Sequence, residues 1–259
     1  MSALARLRTV LSRHDRIAVA VSGGVDSMTL AHVAHGIGGT VMIHAISAAV
    51  PAEATARVRR HAAASGWRLR IVDAGEFGDP RYRENPVNRC YFCKQNLYKT
   101  IRDLCDGAVM SGTNLDDLGD FRPGLTAAKE QGVVHPYVEA RIGKDDVYGL
   151  ARALGLGDLQ RLPAQPCLAS RIETDIRVEA ADLAFVDTVE SGVRRLLGAA
   201  TVVRCRVTHG GVVLELDGDE GPGATRAATL AQRLCDASNR AFLGARPYRR
   251  GAAFLRGTA

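Results

Sequence analysis

Residues 17–27 constrain the fold of this chain more than any other stretch: a short β-branched run, Ile17 to Val21, leads directly into Ser22-Gly23-Gly24-Val25-Asp26-Ser27 and then a helical pattern from Ser27 to His35. A strand that turns on two glycines into a helix presents successive backbone N–H groups at the helix start. Such a nest attracts an anion, and the helix dipole reinforces it. Ser22 and Ser27 add hydroxyl donors. Asp26 would repel a phosphate unless a cation accompanied it, which points to Mg²⁺. The segment lacks the lysine of the G-x-x-x-x-G-K-[ST] loop, so γ-phosphoryl transfer is not its natural chemistry.

The alternation continues beyond the loop. Strands are expected at Val41–Ile46, Arg68–Val72 and Ala108–Ser111, with helices at Ala52–Ala64 and Gln95–Cys105 between them. This order predicts an α/β fold with a parallel sheet and helices on both faces. Irregular stretches at Gly75–Asn88, Asp116–Gly124 and Leu162–Asp175 are too rich in turn residues for idle connections. After about Arg177 the rhythm changes to a long helix (Val178–Leu197), two strands (Thr201–Val207 and Val212–Asp217), another helix (Ala224–Phe242) and a short final strand. The expected division is a nucleotide domain over residues 1–172 and a small α+β domain over 173–259, serving substrate binding or oligomerisation.

The sequence is 46% apolar and 24% charged, enough to bury a sizeable core. Its net charge of +6 suits a phosphate-bearing ligand as well as nucleic acid. No signal peptide and no apolar run of membrane-spanning length are evident, so a cytoplasmic location is expected. There the six cysteines should be thiols or ligands rather than disulfides. Cys105, Cys205 and Cys235 lie within apolar patterns and are expected to be buried and inert.

Two further groups carry chemistry. Gly112-Thr113-Asn114 follows the fourth expected strand and leads into Asp116, Asp117, Asp120 and Arg122. A second wall for a nucleotide and Mg²⁺ is expected there, with Asp26 and Asp120 as metal ligands and Arg122 placed to neutralise developing charge; taken alone, such an acidic loop also fits a solvated surface. Cys90 and Cys93 form a Cys-x-x-Cys, and Cys167 stands alone before Arg171. The pair by itself fits half a zinc site, a redox pair or part of a cluster site.

The hexapeptide 22–27 resembles the PP-loop of the ATP pyrophosphatase superfamily, whose members transfer AMP and release pyrophosphate. That resemblance implies an adenosine pocket at the end of the second strand, His44 to Ser47, with Ser47 as a contact. Together with Asn88–Lys94, Leu97-Tyr98, Gly112-Thr113-Asn114, Asp117, Asp120-Phe121-Arg122-Pro123-Gly124 and Cys167–Arg171, the chain resembles the LarE family of ATP-dependent sulfur transferases. The likeness covers most of residues 10–175 and the C-terminal part more weakly. It implies that a small-molecule carboxylate or nucleotide-like substrate is adenylated and that sulfur then replaces AMP. Arg122, Asp26 and Cys167 would be catalytic, with Arg171, Arg204, Arg206 and His209 as substrate contacts. It also implies a sulfur donor and a homo-oligomer.

Family members use either a sacrificed cysteine, here Cys167, or a four-iron–four-sulfur cluster on three cysteines, here Cys90, Cys93 and Cys167. Three ligands leave one iron open for sulfide, which makes the cluster the preferred expectation. A persulfide relay and plain zinc stay open. The sequence departs from the family after Arg171, where Ile172-Glu173-Thr174-Asp175-Ile176 replaces an aromatic-glycine segment, and this puts the acceptor in doubt. The competing expectations are a tRNA thiolase and an amide-forming synthetase on the same scaffold. The first calls for an RNA-binding module, while the C-terminal segment is small and carries both signs of charge. The second leaves the three cysteines without a role.

Overall fold

The computed structural model describes residues 1–119, 122–198, 201–217 and 221–248. They fall into two compact units: residues 1–79 with 88–165, and residues 80–87 with the chain from Pro166 onward.

The first unit opens with helix α1 (Ala3–Leu11), whose Ser2 cap accepts a hydrogen bond from the Ala5 N–H. There follow β1 (Ile17–Ala20), α2 (Val25–His35), β2 (Thr40–Ile46), α3 (Ala52–Ser65) and β3 (Leu69–Asp73). After the short α4 (Pro80–Arg83), which belongs to the other unit, come α5 (Arg89–Leu104), β4 (Ala108–Met110), α6 (Pro123–Glu130), α7 (Pro136–Glu139) and α8 (Lys144–Ala153). The four strands form a parallel sheet in the order β3-β2-β1-β4.

β1 shows why such a strand reads as an unbroken apolar run. Ile17 and Val19 point into a core shared with α1, α2 and α8, while Ala18 points into a second core with Tyr98 and Ile101 of α5. The sheet is therefore covered on both faces. The chain runs β1 to β2 to β3 outward on one side and then returns to place β4 on the other side of β1. The strand order thus reverses between β1 and β4, and the loops leaving their carboxyl ends border the crevice where ligands of open α/β sheets bind.

Sequence periodicity missed α1, α6, α7 and α8. The last three are short, and Pro123, Pro136 and Gly143 start them in turn-like sequence. The expected helix at Gln95–Cys105 begins earlier, at Arg89, so the Cys-x-x-Cys lies inside its first turns rather than on a loop.

In the second unit, helices α9 (Ala180–Leu197) and α10 (Pro222–Ala237) accompany strands β5 (Val203–Thr208), β6 (Gly211–Leu216) and β7 (Phe242–Pro247). β5 and β6 form an antiparallel hairpin, and β7 lies parallel to β6. The expected helix Ala224–Phe242 stops at Ala237, and its last residues turn into β7. Asn85, fully buried, anchors residues 80–87 in this unit. Its side-chain amide donates to the carbonyls of Glu173 and Ile176 at 2.7 and 2.8 Å.

A carboxylate organises the unit's interior. Glu190 of α9 is fully buried and accepts two hydrogen bonds from Arg171 at 2.8 and 2.9 Å, one from Arg194 and one from the Cys205 N–H. Removing one member of such a pair strands the other charge out of water. Glu190→Ala should therefore cost about 3–5 kcal/mol in chemical denaturation, while a surface change such as Asp236→Ala stays within about 0.5 kcal/mol.

Candidate functional site

The loop between β1 and α2 is held by its own residues. Ser27 Oγ accepts from the Ser22 N–H at 3.0 Å, lies 3.0 Å from Ser22 Oγ and donates to the Gly24 carbonyl at 3.2 Å. Gly23 has a φ of +86°, and a Cβ there would stand 2.8 Å from the Ala54 carbonyl oxygen of α3, so only glycine fits. Arg57 of α3, itself buried, donates to the Gly23 carbonyl at 2.7 Å and to Gln165 at 3.1 Å. Gly24 caps α2 without a side-chain acceptor, which leaves the first-turn N–H groups of Val25, Asp26 and Ser27 for water or a ligand.

Two histidines, buried His44 and half-buried His135, set the loop's flanks. His44 at the end of β2 lies 2.7 Å from the Val21 carbonyl and 2.9 Å from Thr55 Oγ1, and burial lowers its pKa. The neutral ring then donates to Val21 and accepts from Thr55. His135 lies 2.8 Å from Ser111 Oγ, which lies 3.0 Å from Thr113 Oγ1; burial lowers the His135 pKa as well.

The wall after β4 meets the loop directly. A Cβ on Gly112 would stand 2.7 Å from the Ser27 backbone nitrogen. Asp26 is the hub of the contact: Oδ1 accepts from Asn114 at 3.1 Å, Oδ2 from Lys144 Nζ at 2.6 Å, and its carbonyl from the Tyr137 hydroxyl at 3.0 Å. Burial, followed by the Asp26 charge, pushes the Tyr137 hydroxyl well up, so it stays a donor. Asp117 accepts from the Asn114 N–H at 3.1 Å and pairs with Arg122 at 2.8 Å. Asp116 accepts from the Lys144 N–H at the start of α8.

The structure thus brings Ser22 to Ser27, Gly112, Asn114, Asp117 and Arg122 into one neighbourhood, with Thr113 beside Ser111. Ser47 follows β2 and accepts from the Ala49 N–H at 3.2 Å. Asp120 lies outside the described residues. Sequence reading passed over Lys144, Tyr137 and Arg57. They sit on α8, α7 and α3, and no spacing in the sequence links them to the loop. A lysine reaches the loop after all, from residue 144 rather than from within it.

Cys90 and Cys93 are half-buried on α5, three residues apart and so on one helix face. Cys167 is exposed in the second unit, immediately before a short 3₁₀ turn, Leu168–Arg171. Cys205 and Cys235 are buried as expected, and burial drives the Cys205 thiol far above the usual range. Cys105 departs from its expectation. It is half-buried just past the end of α5. Among the described residues, no three His, Cys, Asp or Glu side chains are grouped so as to hold a metal ion, and no helix is long and apolar enough to cross a membrane.

The second unit's predicted contacts are committed internally. Arg171 pairs with Glu190, and Arg206 donates to Glu215 and to the Ser170 carbonyl at 2.8 Å each. Arg204 is buried, with its guanidinium 5.4 Å from the Tyr248 ring centroid. His209 is exposed and lies 3.3 Å from Glu173.

No family model matches the sequence. An uncharacterized protein of Synechocystis sp. is 38% identical over 201 residues, 75% of each chain. An uncharacterized protein of Methanocaldococcus jannaschii is 26% identical over 211 residues, 80% of each chain. The pyridinium-3,5-bisthiocarboxylic acid mononucleotide synthase of Lactiplantibacillus plantarum is 27% identical over 199 residues, 74% of this chain and 72% of that enzyme.

Neutral histidines, one buried and two half-buried, make the first unit sensitive to acid. His32, which lies 2.9 Å from His61, is lowered from 6.5 to about 4 by burial and then by His61. His44 and His135 are lowered too. The unfolded chain binds protons near pH 6.5 that the native state refuses, so this stability is complete above 6.5 and declines as pH falls toward 4. Melting temperature should fall across that window, and His32→Gln should shallow the slope.

Proposed function

The chain belongs to the family of the Synechocystis protein, kinship with the Lactiplantibacillus synthase supports counting that family as LarE-like, and on this premise we propose an ATP-dependent sulfur transferase that works through adenylation. The observation that carries the proposal is the Asp26 hub at the strand-order reversal. There a glycine-turned helix start, an aspartate, a lysine and an asparagine converge beside unspent N–H groups. Such a site suits the triphosphate of ATP.

The β and γ phosphates would lie on the N–H groups of Val25 to Ser27, with the Ser22 and Ser27 hydroxyls beside them. A carboxylate oxygen of the substrate attacks the α phosphorus, and the α–β bridging bond breaks. This yields an acyl adenylate and pyrophosphate. Lys144 and Arg122 offer positive charge for the oxygens that gain charge as that bond breaks, a contribution made mainly by placement. Sulfide-level sulfur then attacks the acyl carbon and AMP leaves, giving a thiocarboxylate. Where the sulfur is the Cys167 thiolate, the first product is a thioester, and loss of the Cys167 α proton with cleavage of its Cβ–S bond releases the thiocarboxylate and leaves dehydroalanine.

The chain carries side chains of the kind these groups need. Asp26 offers a half-buried carboxylate for Mg²⁺, which when bound neutralises phosphate charge, and Asp120 is proposed beside it. Cys90, Cys93 and Cys167 offer thiolates, which are the ligands of iron–sulfur clusters. The sulfur carrier is proposed as that cluster or, failing it, as Cys167 itself. The substrate is proposed as a pyridinium mononucleotide carboxylate, after the relative's name. The segment from 173 is proposed to serve substrate binding and oligomerisation.

With Mg²⁺, ATP and pyridinium-3,5-biscarboxylic acid mononucleotide, the products should be AMP and pyrophosphate, and Lys144→Ala should slow their release by about 10²-fold or more. ADP and phosphate as products would overturn the proposal. Anaerobically purified protein should be brown, absorb near the ~400 nm expected of thiolate-ligated clusters, and lose colour in Cys90→Ala and Cys93→Ala. A colourless wild type whose Cys167 loses sulfur during turnover, read by mass spectrometry, assigns the carrier to Cys167 alone.

A further inference from the structure

The parallel sheet has a second functional-looking end. All four strands start together, at Ile17, Thr40, Leu69 and Ala108, and around those starts lies an open cleft of about 660 Å³. That volume is within the range of small-molecule sites. Arg16, Arg68 and Arg70 line it, with Ile17, Val41 and Leu104 as apolar wall and Cys105 among them. The ATP loop leaves the opposite, carboxyl end of β1, a strand four residues long and so roughly 13 Å away. One molecule the size of a phosphate ester cannot reach both.

Several backbone N–H groups at the strand starts are already used. Ile17 N–H donates to the Gly39 carbonyl, Ala108 N–H to Arg16 and Met42 N–H to Arg68. The cleft's free capacity is in the guanidinium groups. Arg70 gives one N–H to the Leu104 carbonyl at 3.0 Å, which fixes it against the wall. Arg16 faces Asp106 at 3.8 Å, with both side chains largely exposed. Exposed pairs of that kind contribute about 0–1 kcal/mol and yield readily to a better anion. The Arg68 side chain has no polar partner among the described residues. Three arginines therefore face a single carboxylate, across an apolar floor.

The rim is built by close backbone approach. A Cβ on Gly107 would stand 2.7 Å from the Arg16 carbonyl, and one on Gly39 would stand 2.4 Å from the Asp15 carbonyl. Side chains at either position would push apart the segments that carry Arg16, so the cleft's shape depends on these two glycines.

We propose that this cleft is a second anion site, which takes a phosphate monoester with a small apolar body. The phosphate lies between the guanidinium groups of Arg16 and Arg68, and the organic part lies on Ile17, Val41 and Leu104. Paired guanidinium groups match the geometry of phosphate oxygens. The site is independent of the ATP reading.

The test uses phenyl phosphate on the full chain with the ATP loop saturated by α,β-methylene-ATP. Isothermal titration should still show binding, weakened about tenfold or more in Arg16→Ala/Arg68→Ala, where both side chains are exposed and folding is spared. Bound phenyl phosphate should also slow alkylation of Cys105 by iodoacetamide in the wild type while leaving Cys167 unaffected, as read by peptide mass spectrometry. Binding that vanishes once the ATP loop is filled, or an affinity unchanged in the double variant, would overturn the proposal. So would Cys105 labelling indifferent to phenyl phosphate. A double variant that changes oligomeric state in gel filtration would instead make the cleft a contact between copies of this chain, and would equally overturn it.

Discussion

The approach of the Gly112 backbone to the first turn of α2 governs the geometry of the first unit. A methyl group at residue 112 would stand 2.7 Å from the Ser27 nitrogen and 2.9 Å from the Asp26 carbonyl carbon. Two strands that are neighbours in the sheet, but distant in sequence, can therefore bring their exit loops together. Because β1 and β4 flank the point where strand order reverses, the contact falls where an α/β sheet leaves a crevice. Asn114, two residues beyond Gly112, reaches Asp26 only because that approach is so close.

From that contact the electrostatics of the site follow. Asp26 puts a negative charge at a helix start that also attracts anions, a favourable position for a carboxylate and a competing one for a phosphate. Lys144 at 2.6 Å and the Asn114 amide balance the carboxylate. Tyr137, buried and held as a donor, fixes the Asp26 backbone from beneath. Arg57 fixes the Gly23 carbonyl from α3, and neutral His44 ties down the carbonyl just ahead of the loop. The loop is preorganised by four elements, as the proposed reaction at a phosphate would require.

The second unit uses its charges differently. Glu190 and Glu215 are almost fully buried and collect Arg171, Arg194, Arg206 and Arg246 into ion pairs and hydrogen bonds. Two of the three arginines that the family resemblance implies for substrate contact, Arg171 and Arg206, are among those that satisfy these carboxylates. A guanidinium carries five donors, so an arginine fixed on a carboxylate can still present an N–H elsewhere.

The α/β class, the strand–Gly-Gly–helix turn and the order of the strands were legible in the sequence because they rest on local rules. A β-branched run buried on both faces, a Gly-Gly turn and a helical repeat each signal themselves over a few residues. The burial of Cys205 and Cys235 followed from apolar context in the same way. Lys144, Tyr137 and Arg57 did not show themselves, since their roles arise from long-range packing that no periodicity encodes. Their partners are 34 to 118 residues away in the chain. Nor could apolar patterning separate Cys205, inside a sheet, from Cys105, just past a helix end beside a cleft. The sequence alone determined that a Gly-Gly turn joins the first strand to a helix. Tertiary structure decided what surrounds Asp26 in that loop, because hydrogen bonds and ion pairs depend on distances that only the folded sheet sets.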